Sequence, residues 1–289
     1  MCCTRTTPSE QSTISVNVLL RRLPSPLTPN FQKIKIIFMN MNDGVKTAVR
    51  TVSLFEAFAW RKGPMTLTQL SEALSAPISS CHGLVRTLSA QGYLYTSEQS
   101  REIYPTKRLL EIATKIAAHD PVLETVLPIL KKLRDETEET VLLGRRQGDA
   151  IIYLDVIEGP QTVRYSAGVG EIKPLHSSAI GKAFLGRLDA GERAALISRL
   201  RLSAPTPKTI TEREALETDL AEGISRGYFV THGENVADVM GLASTAEVHG
   251  DVFGIAVAGP LTRLGAMLDA QATRLMAARR KLESLGAKS

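Results

Sequence analysis

The stretch from Thr66 to Leu94, TLTQLSEALSAPISSCHGLVRTLSAQGYL, restricts the fold more than any other part of this chain. Thr66 and Gln69 stand at capping-box spacing, and Leu67, Leu70, Ala73 and Leu74 recur at helical intervals behind them. A short helix with one apolar face is expected there. Pro77 sits where a second helix would begin, because the first helical turn has no use for the N–H that proline lacks. Steps of three and four residues then turn Ile78, Cys81, Val85 and Leu88 inward and leave Ser79, Ser80, His82, Gly83, Arg86 and Thr87 outward. Gln91-Gly92 stops this helix, Tyr93-Leu94-Tyr95 reads as a strand, Ser97 to Arg101 as a polar turn and Ile103-Tyr104 as a second strand. Two helices joined by a tight turn and followed by a hairpin make a winged helix-turn-helix.

The outer face of the second helix is small and polar, with one cation. Small side chains let a helix enter a major groove, where hydroxyls, an imidazole and a guanidinium can bond base edges or phosphates. On that basis Ser79, Ser80, His82, Arg86 and Thr87 are candidate DNA contacts, joined by Arg101 on the wing and Lys107 at its exit. The charge distribution agrees. The formal net charge is +5, and residues 44–119 hold nine Lys/Arg against five Glu, whereas the chain from Asp120 onward holds 21 basic and 23 acidic residues. A basic first segment beside a slightly acidic remainder suits a protein that meets phosphates with one part only. The bland alternative is a helical hairpin with a solvated face.

Around this stretch the chain divides into four parts. Residues 1–43, rich in Ser, Thr and Pro without a sustained period, read as a disordered leader or a misassigned start, with Met39 and Met41 just before the first periodic segment. Residues 44–106 form the winged helix-turn-helix, whose first helix, Val45 to Ala59, places Val45, Val49, Val52, Phe55 and Ala59 on one face. Residues 107–120 form a linker helix over Lys107 to Ala118, and residues 121–289 a second domain that opens with an amphipathic helix, Val122 to Glu136. Strands are expected at Thr140 to Arg146 and Ala150 to Glu158 around a Gly148-Asp149 turn, and at Thr162 to Gly168. Helices follow at Ala179 to Leu188, Ala190 to Leu200 and Glu212 to Arg226. Further strands follow at Tyr228 to Thr231, Met240 to Ala246 and Val252 to Ala258, the last two joined around Gly250-Asp251. A single closing helix runs from Leu261 to Leu285 with Gly286 as its stop. This order describes an α+β domain with a mainly antiparallel sheet.

Cys2, Cys3 and Cys81 are too few for a disulfide framework, no run is long and apolar enough to span a membrane, and a reduced, cytoplasmic setting fits. The segment Pro174 to Lys182 holds His176, Ser177, Ser178 and Lys182, but neighbouring positions do not face one another as nucleophile and base, and no nucleophile-elbow pattern surrounds either serine. Catalysis is therefore not expected. A better reading is that free N–H groups at the start of the following helix favour an anion such as a carboxylate. His176, His232 and His249 are scattered, so no metal and no cofactor is expected; Cys81 reads as core; Arg164 is a further carboxylate clamp or a surface residue.

Three stretches, taken together, resemble the IclR family of bacterial transcription regulators: LTQLSEALSAPISSCHGLVRTLSAQGYL, PLHSSAIGKAFL, and TITEREAL with RGYFV and VFGIAVAGP in that order. The likeness runs from about Val45 to Gly286. It implies a homodimer or homotetramer that binds double-stranded DNA through the winged helix and a small organic acid through a C-terminal GAF-like domain. Carried over by position, it implies an effector site at Ala179 and Ile180, Thr231, Gly241, and Ala256 and Ala258. The chain departs from the family pattern at four of its positions. Ala256 and Ala258 stand where hydroxyls are common, Thr231 where an acidic residue is common, and Gly83 where an arginine is usual. The first three point away from a small, highly polar effector and toward an aromatic or branched acid. The alternative is a metabolite-binding or catalytic α+β domain whose N-terminal helices serve protein contacts.

Overall fold

The computed structural model describes residues 45–286, so the leader expected over residues 1–43 lies outside the described residues. The chain divides into two compact units, with the boundary along the sequence between Lys115 and Ile116.

The first unit starts with α1 (Lys46–Arg61), α2 (Leu67–Ala73) and α3 (Ile78–Ala90), followed by the antiparallel strands β1 (Leu94–Thr96) and β2 (Ile103–Pro105). Thr66 caps α2 in a full capping box, its hydroxyl accepting from the Gln69 amide while the Gln69 side chain accepts from the Thr66 amide. The turn into α3 is tight because Ser75 adopts a left-handed conformation and the Ser71 hydroxyl donates to the Ala76 carbonyl at 2.7 Å. Leu54, Phe58, Met65, Leu70, Leu94 and Ile103 form the core, and the Met65–Ile103 bridge fastens the wing to the helices.

Two details of the expected packing are corrected. Helix α1 faces the core with Leu54 and Phe58, whereas Val45 and Val52 are 74% and 57% exposed. The helix carries two apolar stripes, and the one with the larger side chains removes more apolar area from water when covered. In α3 the inward set is Cys81, Leu84, Val85 and Leu88, while Ile78, in the first turn, is 51% exposed.

Helix α4 (Arg108–Ala117) follows the wing and has no buried side chain. Beyond it, α5 (Pro121–Thr137) leads into a six-stranded antiparallel sheet made from β3 (Thr140–Gln147), β4 (Ala150–Ile157), β5 (Ile172–Pro174), β6 (Phe229–His232), β7 (Val239–Val248) and β8 (Asp251–Pro260). The spatial order is β5-β4-β3-β8-β7-β6. Strand alternation separates two cores. Val141, Leu143, Met240, Leu242, Ile255 and Val257 face one side, where they pack with Val126, Leu130 and Leu133 of α5. Leu142, Ala243, Ala256 and Ala258 face the other, toward α6 (Ala179–Arg187), α7 (Ala190–Arg199) and α8 (Arg213–Arg226).

Three further expectations are corrected here. Residues Thr162 to Gly168 form no strand, although their composition suits one. The free edge of β4 is taken by β5 instead, and the intervening loop is held by Glu158, which accepts from Arg164 and from the Ser166 hydroxyl at 2.7 Å. The closing helix is two helices, α9 (Leu261–Ala266) and α10 (Leu268–Gly286), with Met267 in a non-helical conformation between them. The β7–β8 turn is centred on His249 and Gly250, both with positive φ, so Asp251 already belongs to β8.

Candidate DNA-binding and effector sites

On α3, Ser79, His82, Arg86 and Thr87 are exposed and Ser80 is half-buried. The Thr87 hydroxyl donates to the Gly83 carbonyl at 2.9 Å, which leaves it able to accept from DNA while its proton is spent on the helix itself. A Cβ built at Gly83 would meet nothing within 4 Å, so this face stays open. Beside it a cleft is lined by Arg50, Thr47 and Thr51 of α1 together with Ser80, Arg86 and Thr87. The α1 residues escaped sequence reasoning, because nothing in a linear pattern says which side of one helix will border another. Arg101 lies exposed on the wing with φ 58°, and Lys107 is exposed just before α4.

In the second unit the residues implied by the family resemblance converge. Ser178 caps α6, accepting from the Gly181 amide at 3.2 Å and donating to the Pro174 carbonyl at 2.6 Å. Gly181 has to be glycine, since a Cβ there would lie 2.3 Å from the Leu175 carbonyl oxygen. The amides of Ala179 and Ile180 have no hydrogen-bond partner among the described residues, as expected of the first turn of a helix. They border a small cavity of about 30 Å³ that is partly open to solvent. Its floor is Gly241, Ala256 and Ala258, one side is Thr231 with Asn235 and Val236, and the other is Leu142, Tyr153 and Tyr165. All six residues named from the sequence therefore line one cavity. Among the described residues no charged side chain does.

The floor is low for a packing reason. A Cβ at Gly241 would stand 2.9 Å from the Thr231 hydroxyl and 3.1 Å from the Ala179 methyl, so only glycine lets helix and strand approach this closely. The segment carrying Asn235 is fixed from below. Thr206 and Thr209 donate to the carbonyls of Gly233 and Glu234 at 2.7 and 2.6 Å, and Asn235 donates to the Ser177 hydroxyl at 3.3 Å. Under this segment the Lys182 ammonium, fully buried, bonds Glu234 at 2.7 Å and Asp219 at 2.8 Å. Burial holds the Glu234 carboxyl above the usual carboxylate range against the opposing pull of Lys182, and its second oxygen has no hydrogen-bond partner among the described residues. Burial also lowers the pKa of His176, whose Nε2 meets the Ser203 carbonyl at 2.8 Å. Sequence reasoning missed the Lys182 network, because its members lie far apart in the chain.

Arg164 is not a carboxylate clamp. It does not line the cavity, and it bonds Glu158 at 2.7 Å. Among the described residues no group of three His, Cys, Asp or Glu is placed to hold a metal ion, and no helix is long and apolar enough to cross a membrane.

A winged helix-turn-helix with a polar outward helix face, followed by an antiparallel α+β domain, defines a DNA-binding transcription regulator. The family model described as "Bacterial transcriptional regulator IclR C-terminal" matches residues 114–283, and that described as "IclR helix-turn-helix domain" matches residues 47–98. The chain belongs to the IclR family. It is 28% identical over 242 residues to the HTH-type transcriptional regulator BhcR of Paracoccus denitrificans, a match covering 83% of this chain and 86% of that protein. It is 29% identical over 225 residues to the transcriptional repressor IclR of Escherichia coli, covering 76% and 82%. Among solved structures, the Thermotoga maritima IclR superposes with a TM-score of 0.68 at 22% identity, over 81% of this chain and 97% of that one. An IclR homologue from Microbacterium hydrocarbonoxydans, complexed with 4-hydroxybenzoate, also gives 0.68 at 22% identity, over 84% and 100%. These structures share its fold. The chain is a regulator and not an enzyme, in keeping with relatives named as transcriptional regulators.

Proposed function

We propose that this protein is a cytoplasmic, effector-responsive regulator of a catabolic operon. In this reading residues 44–106 bind DNA, residues 107–120 link, and residues 121–289 bind a small organic acid. The observation that carries the effector half is the cavity at the start of α6, where, among the described residues, two amides have no partner and no charged side chain lines the space. Backbone N–H groups and the positive end of the helix dipole favour a carboxylate, and the alanine and glycine floor suits an apolar, aromatic or branched body. Ala179, Ile180, Thr231, Gly241, Ala256 and Ala258 are the proposed effector contacts. The homologue complexed with 4-hydroxybenzoate lends support, since its ligand is an aromatic acid.

For DNA, the proposed contacts are Ser79, Ser80, His82, Arg86 and Thr87 from the recognition helix, with Arg101 and Lys107 from the wing and its exit. One short helix with a single outward arginine reads few base pairs, so a symmetric dimer or a tetramer on a palindromic operator is expected, with half-sites about 10 bp apart or a multiple of that. A mobility shift on the DNA flanking the protein's own gene, repeated with a panel of acids, tests both halves. Retarded DNA whose retardation changes with one acid is the expected result. A protein that retards no DNA there, or whose binding answers to no acid in the panel, would overturn the corresponding half.

A further inference from the structure

The cleft beside the recognition helix has no part in the reading above. It has a volume of about 370 Å³ and runs between α1 and α3, inside the first unit. On α3 its wall is Ser80, Gly83 and Thr87, at steps of three and four residues, so it borders the outward face that carries Ser79, His82 and Arg86. On α1 the facing wall is Thr47, Arg50 and Thr51. Leu84 and Leu88, which also pack on the core, close the bottom.

The donors in this cleft suit an anion. Arg50 and Arg86 both line it, and neither guanidinium has a hydrogen-bond or ion-pair partner among the described residues. No described acidic side chain lines it. The Thr51 and Thr87 hydroxyls donate to the Thr47 and Gly83 carbonyls, each at 2.9 Å, so the protons left for a ligand are those of the two guanidiniums and of the Thr47 and Ser80 hydroxyls. Arg50 is half-buried and so restrained before any ligand arrives, whereas Arg86 is exposed. Between them a Cβ on Gly83 would meet nothing within 4 Å, and the missing side chain leaves Arg50 open to whatever lies before α3.

The dimensions of DNA decide what lies there. A helix with its side chains is about 10–12 Å across and the major groove is about 12 Å wide, so a recognition helix in the groove has a phosphate backbone along each flank. Along this cleft α1 adjoins one flank of α3. We propose that the cleft is a second DNA contact, in which Arg50, with the Thr47 and Ser80 hydroxyls, holds one backbone phosphate of the strand on the α1 side and leaves Arg86 to the base edges. The chain's own first residues are a poor occupant, because residues 1–44 hold five Lys/Arg against two acidic residues and so carry the same sign of charge as the cleft. The inference rests on the DNA-binding reading given above and adds α1 to the surface that meets phosphates.

Fluorescence anisotropy on the full chain tests it, with a labelled duplex from upstream of the protein's own gene and a random duplex of equal length, over a series of salt concentrations. Arg50→Gln, which keeps most of the stem and removes the charge, should weaken both duplexes alike by about tenfold, the effect of one charge-assisted hydrogen bond. It should also flatten log K against log salt by about 0.9. Arg50→Lys keeps the charge and should keep the wild-type slope. Both variants should melt as the wild type does in circular dichroism. Unchanged affinity and slope in Arg50→Gln, as expected of a cleft that serves a protein segment, overturn the proposal. A loss confined to the upstream duplex overturns it too, because Arg50 would then read bases. Either result leaves the DNA-binding reading standing, whereas a wild type that binds neither duplex removes both.

Discussion

Replacing Lys182 by methionine keeps the stem of the side chain and deletes the charge that holds two carboxylates together. Breaking a buried ion pair by removing one partner costs about 3–5 kcal/mol, mainly because the surviving charge stays buried. Here the two survivors differ. Asp219 is 25% exposed and can be rehydrated, whereas Glu234 is 6% exposed, so the loss should centre on Glu234. For a unit of this size that corresponds to a fall in melting temperature of roughly 10 °C. Urea unfolding of Lys182→Met, with the slope against urea unchanged, is the direct assay. Adding Glu234→Gln should restore half of the loss or more.

The pH dependence has a fixed sign. The Glu234 carboxyl is held above its unfolded value, so the folded state binds the extra proton, and the penalty of ionising it is absent below about pH 4.3 and grows as pH rises through the folded pKa. Removing Lys182 takes away the influence that opposes this rise, so the stability deficit of Lys182→Met should shrink as pH falls from 8 toward 5. A deficit under about 1 kcal/mol, or one that grows on acidification, would refute the assignment of the strain to a buried, uncompensated Glu234.

Thr66→Ala, which removes the hydroxyl half of the capping box on α2, should destabilise the first unit by about 1 kcal/mol in a urea titration followed by circular dichroism. Gly241→Ala should weaken acid binding in calorimetry by about tenfold or more, since its methyl lands 2.9 Å from the Thr231 hydroxyl and presses on the start of α6. Arg86→Ala should reduce the preference for operator over random DNA in competition binding. Lys107→Ala should instead weaken all DNA alike and flatten the plot of log K against log salt by about 0.9.

The parts of the molecule legible in the sequence are those specified by near neighbours. Thr66 and Gln69 announce their capping box three residues apart, and the wing follows from a Gly stop and two short strands around a polar turn. The cavity wall was reachable through family resemblance together with strand alternation, which puts Ala256 and Ala258 on the same face. What escaped depends on distance or on competition between equals. Both stripes of α1 have helical spacing, and only the bulk of Leu54 and Phe58 against the rest of the core decides which is covered. Thr162 to Gly168 has the composition of a strand but no ladder to join, because three residues further along the chain occupy that edge. The bonds from Lys182 to Asp219 and Glu234 span separations that no local period encodes.

The division of the sheet into two faces has a consequence for how such a protein can change. Along β8, Ile255 and Val257 belong to the core beneath α5, while Ala256 and Ala258 belong to the cavity floor; along β7, Met240 and Leu242 alternate in the same way with Gly241 and Ala243. Odd and even positions of a single strand are thus answerable to different demands. Substitutions at one parity reshape the cavity, while those at the other alter how firmly the domain holds together. A lineage can recast the cavity through changes on that side alone, without dismantling the packing that keeps the domain folded.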